Sequence, residues 1–580
     1  MARKLLPACL VAAVFAAFFP ALSAGFVLWD DDKNFVENAG WRGLSLEHLR
    51  WMATTFHGGP YQPLSWFSLA LEHAAWGMRP AAFHATNVAL HAAGTVAFFF
   101  LARKVFAIAA PAIAGSSRER AAFAAALFFG VHPLRVESVA WITERRDVLS
   151  GMFYVLALLA YVHAATEEPG RRRRVLLGAS LAAFVLGLLA KASGMTLPLA
   201  LVVFDVWILR RPLRDALAGK IPFLIPAAAF GVVAYFGQAS LARELRTVGE
   251  HGVLQRVAQA AFAATFYAGR TLLPIRLSPI YELPTPLDPF EPRFVVATIL
   301  AACATALAFS LRRQHPAGWT AWAAFLLIVA PVSGVVQAGP QLVADRYTYL
   351  ACMPFALLVA GALFVLAPRA APVLALVAAA ALAARTFRQA ALWQDTETLF
   401  THALAVDPRS AIAHDVVGRA LAMRGRRDEA AEHYRRAIEL HPDRPIPHNN
   451  LGLLLLQEGR TDEAIAEFRE SLRAQDDYAR GRTNLGAALL RRGDAADAES
   501  VLREALRRDP RDAGARTNLA QALLAQGRVD AAVGELEAVL AENPRLAEAH
   551  EGLAQAYARL GRADLAAEHR RAAQALRRAQ

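Results

Sequence analysis

The chain has 580 residues, 56% of them hydrophobic and only 19% charged, with a formal net charge of +12. The basic excess does not call for a nucleic-acid partner, because in the first two thirds Lys and Arg fall mainly in short connections between apolar runs, as the positive-inside bias requires. Cys9, Cys303 and Cys352 are scattered and unpaired in spacing, which excludes a disulfide framework and a zinc site.

Residues 1–390 repeat apolar runs of membrane-spanning length, and residues 391–580 contain none. The chain therefore reads as all-α: a polytopic membrane helix bundle followed by a soluble helical domain. Arg3 and Lys4 precede an apolar run that continues through Phe26-Val27-Leu28. That is longer than the core of a cleaved signal peptide, so it is expected as a retained signal-anchor helix with its basic end inside. Asp30, Asp31 and Asp32 follow at once on the far side.

The external loop 29–82 contains a short amphipathic helix at 45–52 and the aromatics Trp41, Trp51, Tyr61, Trp66 and Trp76, which suit an interfacial belt. A second span, 83–106, ends at Arg103-Lys104 inside. His84, Asn87 and His91 share one of its faces, which must turn into the bundle because lipid would not tolerate it. The third and fourth spans enclose an external connection, 132–147, and the fourth ends before Arg171-Arg-Arg-Arg174 inside. Lys191 falls at the next outer end and Arg210-Arg211 at the next inner one. The apolar stretch between Arg256 and Arg270 is short of the roughly 20 residues a crossing needs, and is expected as an interfacial or re-entrant helix. Arg312-Arg313 is inside, the loop 341–349 outside, and the last span ends near Ala384. This makes about 11 spans and leaves the C-terminal domain outside. Arg385 and Arg388, at that outer end, argue the other way; a crossing by 257–269 would add a span and put the domain inside.

From about residue 396 the chain repeats with a period of 34: Gly425, Gly459, Gly493, Gly527 and Gly561 mark turns, and Ala430, Ala464, Ala498, Ala532 and Ala566 keep step. Such phasing gives about five tetratricopeptide-type helix pairs stacked into a superhelix that binds proteins or peptides. Asn450, Asn484 and Asn518 recur in the first helices, where they either clamp a peptide backbone or bond between helices.

An aspartate beside the membrane can take a proton from an incoming hydroxyl, and adjacent acids raise one another's pKa. By charge alone an ordinary solvated acidic turn fits Asp30–Asp32 better. The connection 132–147 packs Arg135, Glu137, Glu144, Arg145, Arg146 and Asp147 among Val136, Val139, Ala140 and Trp141. It reads as a solvated charge run or as a helix lying on the membrane surface, whose guanidinium groups could grip phosphate. Lys191 and Arg346 sit at outer span ends where a lipid headgroup would arrive. Asp30–Asp32 could hold a divalent metal, although no further acidic cluster completes a shell, and no phosphate-binding loop, zinc motif or nucleophile elbow occurs.

Trp29-Asp30-Asp31 with Asn38, Tyr61-Gln-Pro-Leu64, Phe83-His-Ala-Thr-Asn87 with His91, His132-Pro133, Glu137, Arg145, Asp147, Asp345-Arg346 and Tyr349 follow one another in an order that resembles the transmembrane and tetratricopeptide repeat-containing O-mannosyltransferases. Lys191-Ala-Ser-Gly194 departs from that family's pattern by lacking a Glu after the Lys. The resemblance implies a GT-C-like membrane domain and a polyprenyl-phosphate sugar as donor. It also implies a hydroxyl acceptor on a protein held by the repeats, and inversion at the anomeric carbon. In this sequence it makes Asp31 the base or acceptor-orienting acid, with Asp30 supporting it. Arg145, Lys191 and Arg346 become phosphate ligands, Glu137 and Asp147 orienting groups, and His91 a substrate contact. The setting implied is a bacterial inner membrane with the repeats on the extracytoplasmic side. A non-catalytic membrane scaffold for assembling envelope proteins is the alternative.

Overall fold

The computed structural model describes residues 2–240, 251–335 and 339–578. It divides into two compact units, Met1–Pro408 and Arg409–Gln580. The division falls later than residue 390 because helix Thr396–Val406 packs into the first unit: the Leu28 amide donates to Thr396 Oγ1 (2.9 Å) and Trp29 lies against Phe400 (5.3 Å between rings).

Among the described residues, six helices of the first unit are long and apolar enough to cross a membrane: Pro80–Ala109, Ile142–Ala165, Arg171–Ala190, Pro292–Ser310, Asp345–Leu366 and Ala371–Gln394. The pair Gly115–Gly130 and Pro133–Ala140, bent by 52°, makes a seventh if it is one broken span. Four shorter apolar helices, Leu5–Ala17, Ala192–Trp207, Ile221–Gly237 and Pro316–Val332, stand where the other expected spans lie, so a full count of 11 rests on them. The apolar run 319–336 is the expected ninth span, and its last residue, Val336, is outside the described residues. Val253–Leu272 has the length of a span but is amphipathic: Gln259, Ala263, Tyr267 and Thr271 are buried while Val253, Leu254 and Val257 are exposed.

Helix Pro80–Ala109 is the hub, packed on Gly115–Gly130 and Arg145–Ala165, and the latter packs on Arg171–Ala190. Its polar face turns inward as expected: His84, Asn87 and His91 are all buried. Close approach depends on Gly151, where the ring of Tyr349 occupies the space a Cβ would take. Gly151→Ala is therefore expected to destabilise the membrane unit by about 1–3 kcal/mol, seen as a lowered Tm of the detergent-solubilised protein. An unchanged Tm would mean the ring moves freely.

Two expectations are corrected. Trp41 and Trp66 are not interfacial; with Phe35, Met52, Leu69, Phe83 and Ile142 they form a small buried core under the acidic loop, and of the five aromatics only Trp76 is largely exposed. The connection 132–147 is neither solvated nor laid on the membrane. It folds inward as a short turn, the helix Val136–Ala140 and a second turn, and Arg135, Glu137, Glu144 and Arg145 are almost wholly buried. Buried charge is costly unless paired, and distant elements supply carboxylate or cation partners for Glu137, Glu144 and Arg145. Among the described residues Arg135 has instead one hydrogen bond, to Thr348 Oγ1 (2.7 Å), and lies over the rings of Phe129 and Tyr349. Further along, the segments Tyr281–Glu282 and Gln341–Val343 join as an antiparallel two-stranded ladder.

The second unit is five antiparallel helix pairs, from Ala411–Met423 with Arg427–Leu440 to Ala547–Arg559 with Ala563–Arg578. All five turn glycines have positive φ, between 73° and 99°, a conformation that disfavours any side chain. Ala430, Ala464, Ala498, Ala532 and Ala566 are buried at the helix contacts. The Asn residues act at least in part between repeats: Asn450 Nδ2 donates to Asp415 Oδ1 and Asn484 Nδ2 to Asn449 Oδ1, both at 2.8 Å.

Candidate functional site

The first helix ends at Ala17, and a short turn carries the chain to residues 27–31, where the backbone doubles back. Asp31 closes that turn from within. Its Oδ2 accepts the Val27 amide (3.1 Å), and its Oδ1 accepts both the amide (3.2 Å) and the hydroxyl (2.7 Å) of Thr143. Burial is the main reason its carboxyl is pushed up to about 7, against those three hydrogen bonds, which favour the ionised form. Asp31 thus clamps the acidic loop to the turn at 141–144, and each of its oxygens already accepts a hydrogen bond.

Asp30 is its opposite. Among the described residues no group hydrogen-bonds its carboxylate, and it is half-buried. Desolvation pushes it up to about 6, with Arg146, Lys33 and Arg346 pulling it back toward the ordinary range. Asn38 accepts the Gly40 amide (2.9 Å), so it shapes the turn that follows.

Beside this loop lies a knot of charge centred on Glu144. Arg146 holds it with two hydrogen bonds (2.7 and 3.1 Å), Lys191 Nζ lies 2.9 Å away, and Arg346 Nε lies 3.4 Å away. Lys191 also grips Asp147 Oδ1 (2.6 Å), whose second oxygen accepts Ser138 Oγ (3.1 Å). Arg346 bonds Glu137 through both its amide and its guanidinium, and Gln341 at 2.8 Å. The structure thus brings Asp30, Asp31, Glu137, Asp147, Lys191 and Arg346 into one neighbourhood. Glu144, Arg146 and Thr143 complete it. In sequence, Glu144 and Arg146 stood out only as part of an unusually charged stretch, and Thr143 gave no signal.

Two expected site residues do other work. Arg145 spends all five N–H groups inside the bundle, on Asn87, Ser68, both oxygens of Glu72 and the Phe83 carbonyl, which leaves none for a phosphate. His91 accepts from the Tyr349 hydroxyl at Nδ1 (2.8 Å) and donates from Nε2 to the Gly130 carbonyl (2.9 Å), so neither ring nitrogen is open to substrate. By contrast, Lys191 and Arg146 keep donors to spare and are partly exposed, at 17% and 16% of the side chain. Among the described residues no three His, Cys, Asp or Glu side chains come together as a metal site.

A free carboxylate next to cations that retain unused donors can accept a proton while an adjacent anion is held. The tetratricopeptide repeat family matches residues 381–445, 418–479, 449–513 and 517–580. The chain is 31% identical to protein O-mannosyl-transferase TMTC2 of Mus musculus over 207 residues, which are 34% of this chain and 23% of that one. It is 33% identical to protein O-mannosyl-transferase Tmtc1 of Drosophila melanogaster over 158 residues, 26% of this chain and 17% of that one. A protein O-mannosyl-transferase of Caenorhabditis elegans is 22% identical over 65% of this chain and 53% of its own length. The chain therefore spans well under two thirds of each of these relatives. Among solved structures, YrrB, described as a TPR protein with an unusual peptide-binding site, is 23% identical over 30% of this chain and 91% of its own, with a TM-score of 0.27. By these matches the chain is a relative of the transmembrane and tetratricopeptide repeat-containing O-mannosyltransferases, and its C-terminal unit is an array of tetratricopeptide repeats.

Proposed function

We propose that the chain is a GT-C-type membrane glycosyltransferase that moves a sugar from a polyprenyl-phosphate donor to a hydroxyl on a protein held by the repeats. The observation that carries this reading is the pairing of one free carboxylate, Asp30, with the cations gathered on Glu144. The relatives' names, protein O-mannosyl-transferases, support the chemistry and make mannose the first sugar to test.

In this mechanism Asp30 takes the proton of the acceptor hydroxyl as its oxygen attacks the anomeric carbon. The bond from that carbon to the phosphate oxygen breaks, and the leaving phosphate gains a negative charge. Arg146, Lys191 and Arg346 stabilise it, through charge-assisted hydrogen bonds that strengthen as the charge develops. A single displacement of this kind inverts the anomeric configuration. Asp31 is a positioning residue that holds the Asp30 turn against Thr143, and Glu137 and Asp147 orient Arg346 and Lys191. This exchanges the roles that the resemblance implied for the two aspartates, because Asp31 is buried and both of its oxygens already accept hydrogen bonds. The packing of Thr396–Val406 beside Leu28 and Trp29 supports a place for that helix on the face of the acidic loop, outside by the basic N-terminus.

Asp30 works as a base only when ionised, so the rate is expected to climb as pH rises through about 6 and to flatten above about 7. Stability runs the other way. Both carboxyls hold their protons above the ordinary 3.8, so across that interval the folded chain binds more protons than the unfolded one and loses stability as pH rises. Initial rates and Tm measured from about pH 4 to about pH 8, roughly two units either side of the Asp30 midpoint, check both signs; a rate that falls through pH 6 would remove Asp30 as base.

The decisive experiment incubates purified full-length protein with undecaprenyl-phosphate sugars, mannose first, and candidate acceptor proteins. Mass spectrometry of the acceptor is expected to find a hexose on Ser or Thr. Acceptor binding without transfer from any donor would instead favour the scaffold reading.

A further inference from the structure

The last membrane helix, Ala371–Gln394, carries Arg385 and Arg388 near its C-terminal end, and that end is fixed to the base of the acidic loop by the Gly25 amide, which donates to the Gln394 carbonyl (3.0 Å). The two arginines thus sit on the face of the bundle that holds the acidic residues, opposite to Arg103, Arg171 and Arg312 on the positive-inside reading. The positive-inside bias gives no reason for them. Both are exposed, and neither has an ion pair or hydrogen bond among the described residues.

They line a cavity of about 350 Å³ together with Arg276, His402, Leu277 and Leu392. Among the described residues no carboxylate lines it. Arg276 comes from the outer loop after Val253–Leu272 and spends one N–H on the Val406 carbonyl (2.8 Å). Its backbone is left-handed, φ 51°, a conformation that glycine would adopt more cheaply, so the fold bears a local cost to present a guanidinium there. His402 braces the opposite wall by bonding the Leu277 carbonyl (3.0 Å). Three guanidiniums around one apolar-floored hollow repel one another until an anion enters, and guanidinium is the side chain best matched to phosphate oxygens.

The flank of the same helix identifies the kind of anion. Below the arginines, Val373, Leu374, Leu376 and Val377 are 49–64% exposed, an apolar strip of the sort that faces lipid. A ligand whose phosphate sits among Arg276, Arg385 and Arg388 would have its hydrocarbon laid along that strip. We infer that this cavity is a lipid-phosphate site at the outer membrane face, formed by residues distinct from the cations around Glu144, and that it takes the headgroup of an anionic lipid. The inference does not depend on sugar transfer by the chain.

The test uses full-length protein in phosphatidylcholine nanodiscs, titrated with fluorescent phosphatidylglycerol and competed with polyprenyl phosphate, phosphatidylcholine or inorganic phosphate. Arg385→Gln/Arg388→Gln is expected to weaken phosphatidylglycerol binding roughly 10- to 30-fold, and Arg276→Gln, on another element, to weaken it in the same direction. Arg312→Gln/Arg313→Gln on the inner side should leave it unchanged. Competition by polyprenyl phosphate would support the site and show that the donor lipid also reaches it; failure of polyprenyl phosphate to compete, with phosphatidylglycerol binding still lost in the variants, would support it as a phospholipid site. The inference is overturned if the outer-face variants, with wild-type Tm, bind as wild type, if phosphatidylcholine competes equally, or if inorganic phosphate alone displaces the lipid at equal concentration.

Discussion

Asp30→Asn is expected to lower sugar transfer by roughly 10²- to 10⁴-fold, the usual contribution of a positioned general base, with Tm at neutral pH equal to or above wild type, because the amide carries no desolvated charge. The side chain is half-buried and makes no hydrogen bond among the described residues, so an amide of the same shape disturbs nothing that holds the fold. Asp31→Asn is the informative contrast. Its amide would keep one acceptor for Thr143 but turn an N–H₂ toward the Val27 amide, setting donor against donor in a buried turn. That variant should lose stability as well as rate, and its surviving activity should keep the rise through about pH 6 that belongs to Asp30. If Asp31→Asn abolished transfer at full stability while Asp30→Asn retained it, the two roles would have to be exchanged.

The second large effect is structural. Arg145→Ala is expected to destabilise the membrane unit by about 3–5 kcal/mol, the cost of breaking a buried ion pair from one side. Arg145 is fully buried, Glu72 nearly so, and the bidentate pair (2.9 and 3.0 Å) joins helix Pro63–Trp76 to the start of Arg145–Ala165. Removing the cation strands the Glu72 carboxylate and also leaves Asn87 and the Phe83 carbonyl without their donor. Thermal unfolding of the solubilised protein measures this. Arg145→Met with Glu72→Gln should recover much of the loss, since two neutral groups replace one orphaned charge. A single variant as stable as wild type would show that the pair contributes nothing net.

What could be seen in the sequence was whatever repeats or sits close together along the chain. The glycines at 34-residue intervals were visible because each repeat must make the same left-handed turn, and the spans were visible because apolar length is a local property. The acidic motif was visible as adjacent letters. Its division of labour was not, since Asp31 is held by Thr143, a residue 112 positions away. Glu72 and Arg145, 73 apart, became a pair only when two helices met. The charge in 132–147 suggested a surface because the cations and anions that neutralise it lie in other segments. Trp41 and Trp66 suggested an interface because a tryptophan at a membrane boundary and one in a small core look alike in composition; Phe35 and Ile142, which enclose them, come from separate turns of the chain.

Glu144 has one carboxylate and three cationic neighbours, so Arg146, Lys191 and Arg346 share one counter-charge, to which Asp147 adds a second for Lys191 and Glu137 a second for Arg346. Such a group responds as a single electrostatic body. An anion arriving at any one of the three competes with the same carboxylate, and the field felt by the other two changes at that moment. Occupancy at one point of the knot is thereby registered across it, as far as Asp30, without movement of the backbone.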